Sequence, residues 1–83
     1  MKYVMFESPV EGIFPIVFPE AIDHNLFVRS LAAVYPGIKP TSAGFCSISD
    51  FSDHEVSVWG KSVTLNLQSQ PDDAFFLKKL MVI

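Results

Sequence analysis

Eighty-three residues, 49% of them apolar and only 18% charged, make one domain that folds, because the chain is too short to divide into two cores and too apolar to stay disordered. A net charge of −3, with six basic residues scattered and no run longer than Lys78-Lys79, excludes the basic face that nucleic acid requires. One cysteine excludes an internal disulfide, and no stretch approaches a membrane span or a signal-peptide core, since Glu7, Pro9 and Glu11 interrupt the first apolar run; a soluble cytoplasmic protein is expected.

Lys2 to Phe6 is β-branched and aromatic, and Ser8-Pro9-Val10-Glu11-Gly12 supplies turn residues before a second apolar run, Ile13 to Phe18. The pair predicts a hairpin. Pro15 has no N–H to give to a ladder, so its strand is expected at a sheet edge or a bulge. Asp23, His24 and Asn25 then precede Leu26 to Tyr35, a helix of about ten residues with Phe27, Leu31 and Val34 on one face. Pro36 and Gly37 stop it, and Pro40 keeps the following link extended. His24 is expected to be a solvated or capping-region residue at this helix start.

Thr41 to Ser49, Glu55 to Gly60 and Lys61 to Leu67 predict a meander of three strands, with turns over Ser49 to Asp53 and near Gly60. In the last strand Val63, Leu65 and Leu67 alternate with Ser62, Thr64 and Asn66, so one face is expected buried and one wet. Ser69-Gln70-Pro71-Asp72-Asp73 combines a capping side chain, a first-turn proline and two carboxylates at the positive end of a helix dipole. The helix is expected to open at Ser69 or Gln70, to run to about Met81, and to carry Phe76, Leu77, Leu80 and Met81 as its apolar stripe, with Leu80 as anchor. The order is ββαβββα, an α+β domain over residues 1–83 with a small, mainly antiparallel sheet of about five strands and two helices.

Motifs for chemistry are weak. Gly60-Lys61-Ser62 matches the end of a phosphate-binding loop, but that loop needs a glycine where Glu55 stands and a helix where Val63-Thr64-Leu65 reads as strand. Cys46 and His54 could meet diagonally across a hairpin as a nucleophile and its base. Ile48, Val56 and Val58 share that face, so an inert buried thiol is the simpler reading. His24, Cys46, Asp50, Asp53, His54 and Glu55 show no paired metal-ligand spacing. Neither a metal nor a cofactor is expected, and no catalytic residue is assigned.

Parity marks one surface instead. If Val56 and Val58 face the core, Ser57 and Trp59 face outward, as do Phe45 and Ser47 on the paired strand, with Ser62, Thr64 and Asn66 completing the face. Phe45, Ser57, Trp59 and Thr64 are the predicted contact residues: aromatic anchors on a small, uncharged background are what protein interfaces use at their centres. The second helix or the terminal segment packed on that face would cover them instead. Ordering 83 residues costs about 125 kcal/mol at about 1.5 kcal/mol each, which burial of about 5,000 Å² of apolar surface, nearly all the chain has, just offsets. A protein partner is therefore expected, a homodimer first.

The stretches Ile16-Val17-Phe18-Pro19-Glu20, Ser42-Ala43-Gly44-Phe45 and Gly60 through Asp73 (GKSVTLNLQSQPDD) resemble those of small uncharacterised proteins encoded by phages and prophages. The resemblance spans most of the chain and carries no assigned activity. It implies a setting in the host cytoplasm, where small acidic phage proteins bind and block host proteins, defence machinery such as CRISPR effectors included. The expected function is a non-enzymatic protein-binding module acting by surface occlusion. The rivals are a small structural or assembly protein of a virion and a thiol enzyme using Cys46 and His54.

Overall fold

The computed structural model describes residues 1–49 and 55–80. β1 (Lys2–Ser8) and β2 (Gly12–Phe18) form the expected hairpin. Its turn is closed by Ser8 Oγ, which accepts from the amides of Val10 (3.2 Å) and Glu11 (3.3 Å), and by Gly12 at φ +77°, a conformation that a side chain would strain. β3 (Lys39–Ser49) pairs antiparallel with β1, and β4 (Glu55–Trp59) with β3, in the sheet order β2-β1-β3-β4. Proline-bearing β2 is thus an edge, as its missing N–H requires. The bulge lies elsewhere: the β1–β3 register shifts at Met5/Phe6, where Thr41 is the extra residue and its hydroxyl donates to the Met5 carbonyl at 3.3 Å.

Helices cover both sheet faces. On one, Val4, Phe6, Phe18 and Ala43 pack with Ile38 and with Val28 of α1 (His24–Val34), and Phe27 of the helix stacks on Phe18 with centroids 4.3 Å apart. On the other, Tyr3, Met5 and Cys46 pack with Leu77 of α2 (Asp73–Leu80). The molecule is therefore an α+β domain of three layers, with β1 so central that Tyr3 to Phe6 are buried on both sides. The sequence reading of one wet face holds only for strand segments that neither helix reaches.

Local chemistry sets both helix starts. Asp23 caps α1 by accepting from Asn25 N–H (3.0 Å) and Leu26 N–H (3.2 Å), so the helix begins at His24, two residues earlier than its hydrophobic pattern predicts. Phe27 and Leu31 turn inward as expected, but Val34 is exposed because the chain leaves the helix at Tyr35. Ahead of α2, Gln70 N–H donates to Asp73 Oδ2 at 2.9 Å, the back half of a capping box. The same buried oxygen accepts from the Tyr3 hydroxyl (2.5 Å) and the Ser42 hydroxyl (2.8 Å), tying the helix start to β1 and β3. Leu77, 2% exposed, anchors α2; Leu80, 45% exposed, does not, and Met81 lies outside the described residues. No described helix is long and apolar enough to cross a membrane.

The expected strand over Lys61 to Leu67 is instead a small ribbon of β5 (Lys61–Ser62) and β6 (Leu67–Gln68), separate from the main sheet. Asn66 at φ +56° and a bond from its N–H to the Val63 carbonyl (3.2 Å) make the reversal. Parity inverts only at the start, where Ser62 is buried and Val63 is 78% exposed; beyond it Leu65 and Leu67 pack against the core and Thr64 and Asn66 are exposed, as the alternation predicts. Asparagine tolerates the left-handed region that β-branched residues avoid, which is why the chain can turn at this point.

Candidate protein-contact surface

The β3–β4 register sets Phe45 opposite Trp59, Ser47 opposite Ser57, and Cys46 opposite Val58. Alternation puts the first two pairs on the face that carries α1 and Cys46 with Val58 on the face that carries α2. The Phe45 and Trp59 rings lie nearly parallel, with centroids 6.4 Å apart and 19° between planes. Phe45 is held on its other sides. The His24 ring stands edge-on to it at 5.8 Å, and Gly60 leaves it room, since a Cβ there would fall 3.0 Å from the Phe45 ring.

His24 is buried rather than solvated. Because Asp23 takes the cap, His24 is the first helical residue, and its ring turns in between Phe18 and Phe45. Its Nε2 lies 3.0 Å from the Gly44 carbonyl, which can only accept, so Nε2 carries the proton. His24 therefore fixes the position of Phe45 from below, a support that sequence reasoning missed. Trp59 has no such cover and remains 47% exposed, with Ser47 and Ser57 exposed along the strands beside it.

Of the predicted contact residues, Phe45 and Trp59 meet, and Ser57 is two residues from Trp59 on the same face of β4. Thr64 is exposed but stands in the β5–β6 turn, its hydroxyl 3.4 Å from that of Ser62, and not on a strand of this face.

On its other side β4 borders a shallow groove of about 300 Å³ lined by Glu55, Val56, Ser57, Ala74, Phe75 and Lys78. Phe75 is 59% exposed, with the Lys79 ammonium 4.5 Å from its ring centroid. The sequence carried a signal for it: Phe75 falls outside the stripe of Phe76, Leu77 and Leu80, so it is an aromatic on an outward helix face.

Among the described residues, the Cys46 thiol and the Tyr3 phenol are enclosed. Cys46 is fully buried, and burial pushes its thiol up from the usual range, against a smaller opposing pull from the N-terminal charge. His54, its supposed base, lies outside the described residues. Burial likewise raises the Tyr3 phenol, and its hydrogen bond to Asp73 raises it further. Ser62 Oγ accepts from Leu65 N–H at 3.3 Å within the turn, so Gly60-Lys61-Ser62 is a turn followed by a two-residue strand. Among the described residues no three of His, Cys, Asp and Glu converge as metal ligands; Asp50 and Asp53 lie outside them.

Comparison with protein-family models, with curated proteins and with solved structures gives no match.

Proposed function

We propose that this chain is a non-enzymatic protein-binding module that acts by occluding a surface of its partner. The observation that carries the reading is the Phe45–Trp59 pair. A half-buried phenylalanine, fixed by His24 and Gly60, supports a tryptophan 47% exposed on a strand whose outward neighbours are serines. A preorganised aromatic anchor on a small, uncharged background is the composition of an interface centre. The buried, raised Cys46 thiol supports the non-enzymatic side of the reading. The phage resemblance makes a host protein in the cytoplasm the proposed target, with self-association through the same side of the molecule.

Trp59→Ala tests the reading. Truncating an interface tryptophan costs about 2 kcal/mol or more, so partner binding or self-association should weaken about thirtyfold or more while the melting curve stays close to wild type. A tryptophan that serves the core forecasts the reverse: an unfolded variant, and wild-type indole emission that ignores dilution. That pair of results would remove the reading.

A further inference from the structure

We propose that the open edge of β4 is the seam of a two-fold dimer, in which β4 pairs antiparallel with β4 of a second copy about an axis through Ser57. The inference rests on the reading of this side as a contact surface and names its occupant and the groups that hold it.

Hydrogen-bond phase shows which groups are available. Cys46 N–H donates to the Met1 carbonyl (2.8 Å) and the Met1 nitrogen donates to the Cys46 carbonyl (3.1 Å), so Cys46 directs its backbone toward β1. Antiparallel alternation then directs Phe45 and Ser47 toward β4, and their partners Trp59 and Ser57 back toward β3. The N–H and C=O groups of Val56 and Val58 therefore point away from the sheet, and among the described residues nothing takes them up. Only another extended backbone matches such a row.

The two sheet edges differ in protection. On β2 the same alternation turns Pro15 outward, so that edge lacks a donor. β4 reads Glu-Val-Ser-Val-Trp with an unbroken register, and carries no proline, no lysine and no bulge. Sheet proteins blunt an edge that must stay open, and this one is left fit for pairing.

The strand is also its own complement. About an axis at Ser57, Val56 of one copy faces Val58 of the other, and each such pair exchanges both N–H···O bonds. The small Ser57 side chains meet on the axis. Glu55, the strand's one charge, stands opposite Trp59 of the other copy, so no like charges meet within the strand pair; a parallel pairing would set Glu55 against itself. The seam joins the two Phe45–Trp59 faces into one strip, with Phe75 of each copy beside it on the other face. Trp59 and Phe75, 47% and 59% exposed, can each bury roughly 100 Å² there, well short of the about 1,200 Å² total at which stable interfaces begin, so the dimer is expected in the micromolar range or weaker.

Sedimentation equilibrium of the wild type between about 10 µM and 1 mM should show a monomer–dimer equilibrium that stops at the dimer. Val58→Pro removes one outward donor and leaves the β3 ladder intact, and should weaken the dimer about tenfold or more with an unchanged circular dichroism spectrum. Because a strand proline could disturb folding, Ser57→Cys provides an independent arm. The axis pair is of the close, non-hydrogen-bonded kind, with Cα atoms about 4.5 Å apart, within reach of a disulfide, so mild oxidation should give a covalent dimer linked at position 57. A dimer that ignores Val58→Pro and fails to cross-link through Ser57→Cys overturns the seam while self-association stands. A wild type monomeric at 1 mM overturns the seam as well, and partner binding with Trp59→Ala then decides the contact-surface reading separately.

Discussion

Tyr3 and Cys46 are buried acids whose neutral forms the fold favours, Tyr3 through burial and its bond to Asp73, Cys46 through burial. Both are raised above their unfolded values, so their contribution to stability is complete below those values and is lost as pH rises past them. Denaturant midpoints should therefore be flat with respect to these two groups up to about pH 8, fall from about pH 8.5 as an unfolded thiol ionises, and fall further above about pH 10. Cys46→Ala should remove the first phase, and a native thiol labelled as fast as a free one at neutral pH would contradict both the burial and the phase. At this scale the sequence was informative where period-2 alternation applied. Phe45, Cys46, Val58 and Trp59 fall on the faces that parity assigns them, because alternation is a local property of an extended chain. His24 was not legible, because its burial depends on a carbonyl twenty residues away, that of Gly44, and on rings from two strands.

Elements were legible as far as their punctuation was. The two hairpin strands and the edge position of β2 follow from turn residues and a proline, whereas α2 begins at Asp73, three residues after the expected Gln70, with Gln70 N–H bonded to the Asp73 carboxylate ahead of its first turn. The β5–β6 ribbon was missed because an alternating apolar pattern over Val63, Leu65 and Leu67 looks like a strand even where Asn66 reverses the chain. The anchor of α2 was misassigned because Leu77 and Leu80 share one helical stripe, and only the three-layer packing shows that Leu77 meets Tyr3, Met5 and Cys46. Leu77→Ala should thus cost about 2–5 kcal/mol. Leu80→Ala should stay within about 0.5 kcal/mol, the range of surface changes. Asp73→Ala should cost about 2–5 kcal/mol, since it leaves the buried Tyr3 and Ser42 hydroxyls without their acceptor and removes a cap. Urea melts of the three variants give the order; equal losses at Leu77 and Leu80 would show that α2 docks by another face.

At the scale of the molecule, the sheet is protected unevenly: helices close both faces, Pro15 closes one edge, and β4 and the Phe45–Trp59 pair remain open on one side. A small domain with so little stability in reserve is sensitive to whatever fills that side, because a partner that binds only the folded state adds its binding free energy to folding. On the proposed edge pairing this has a measurable form. When two unfolded chains are in equilibrium with one folded dimer, each tenfold rise in concentration adds about 1.4 kcal/mol per dimer, or about 0.7 kcal/mol per chain. With a urea m-value near the small-protein end, about 1 kcal/mol/M, the unfolding midpoint should move up by about 0.7 M for each tenfold increase above the dissociation constant. Below that constant it should stop moving, as the monomer becomes the species that unfolds. Val58→Pro should extend the flat regime to higher concentration without lowering its plateau, since the lost donor faces away from β3. Trp59→Ala should do the same if the tryptophan belongs to the interface, and should lower the plateau itself by about 3–5 kcal/mol if it belongs to the core. Its 47% exposure favours the first outcome.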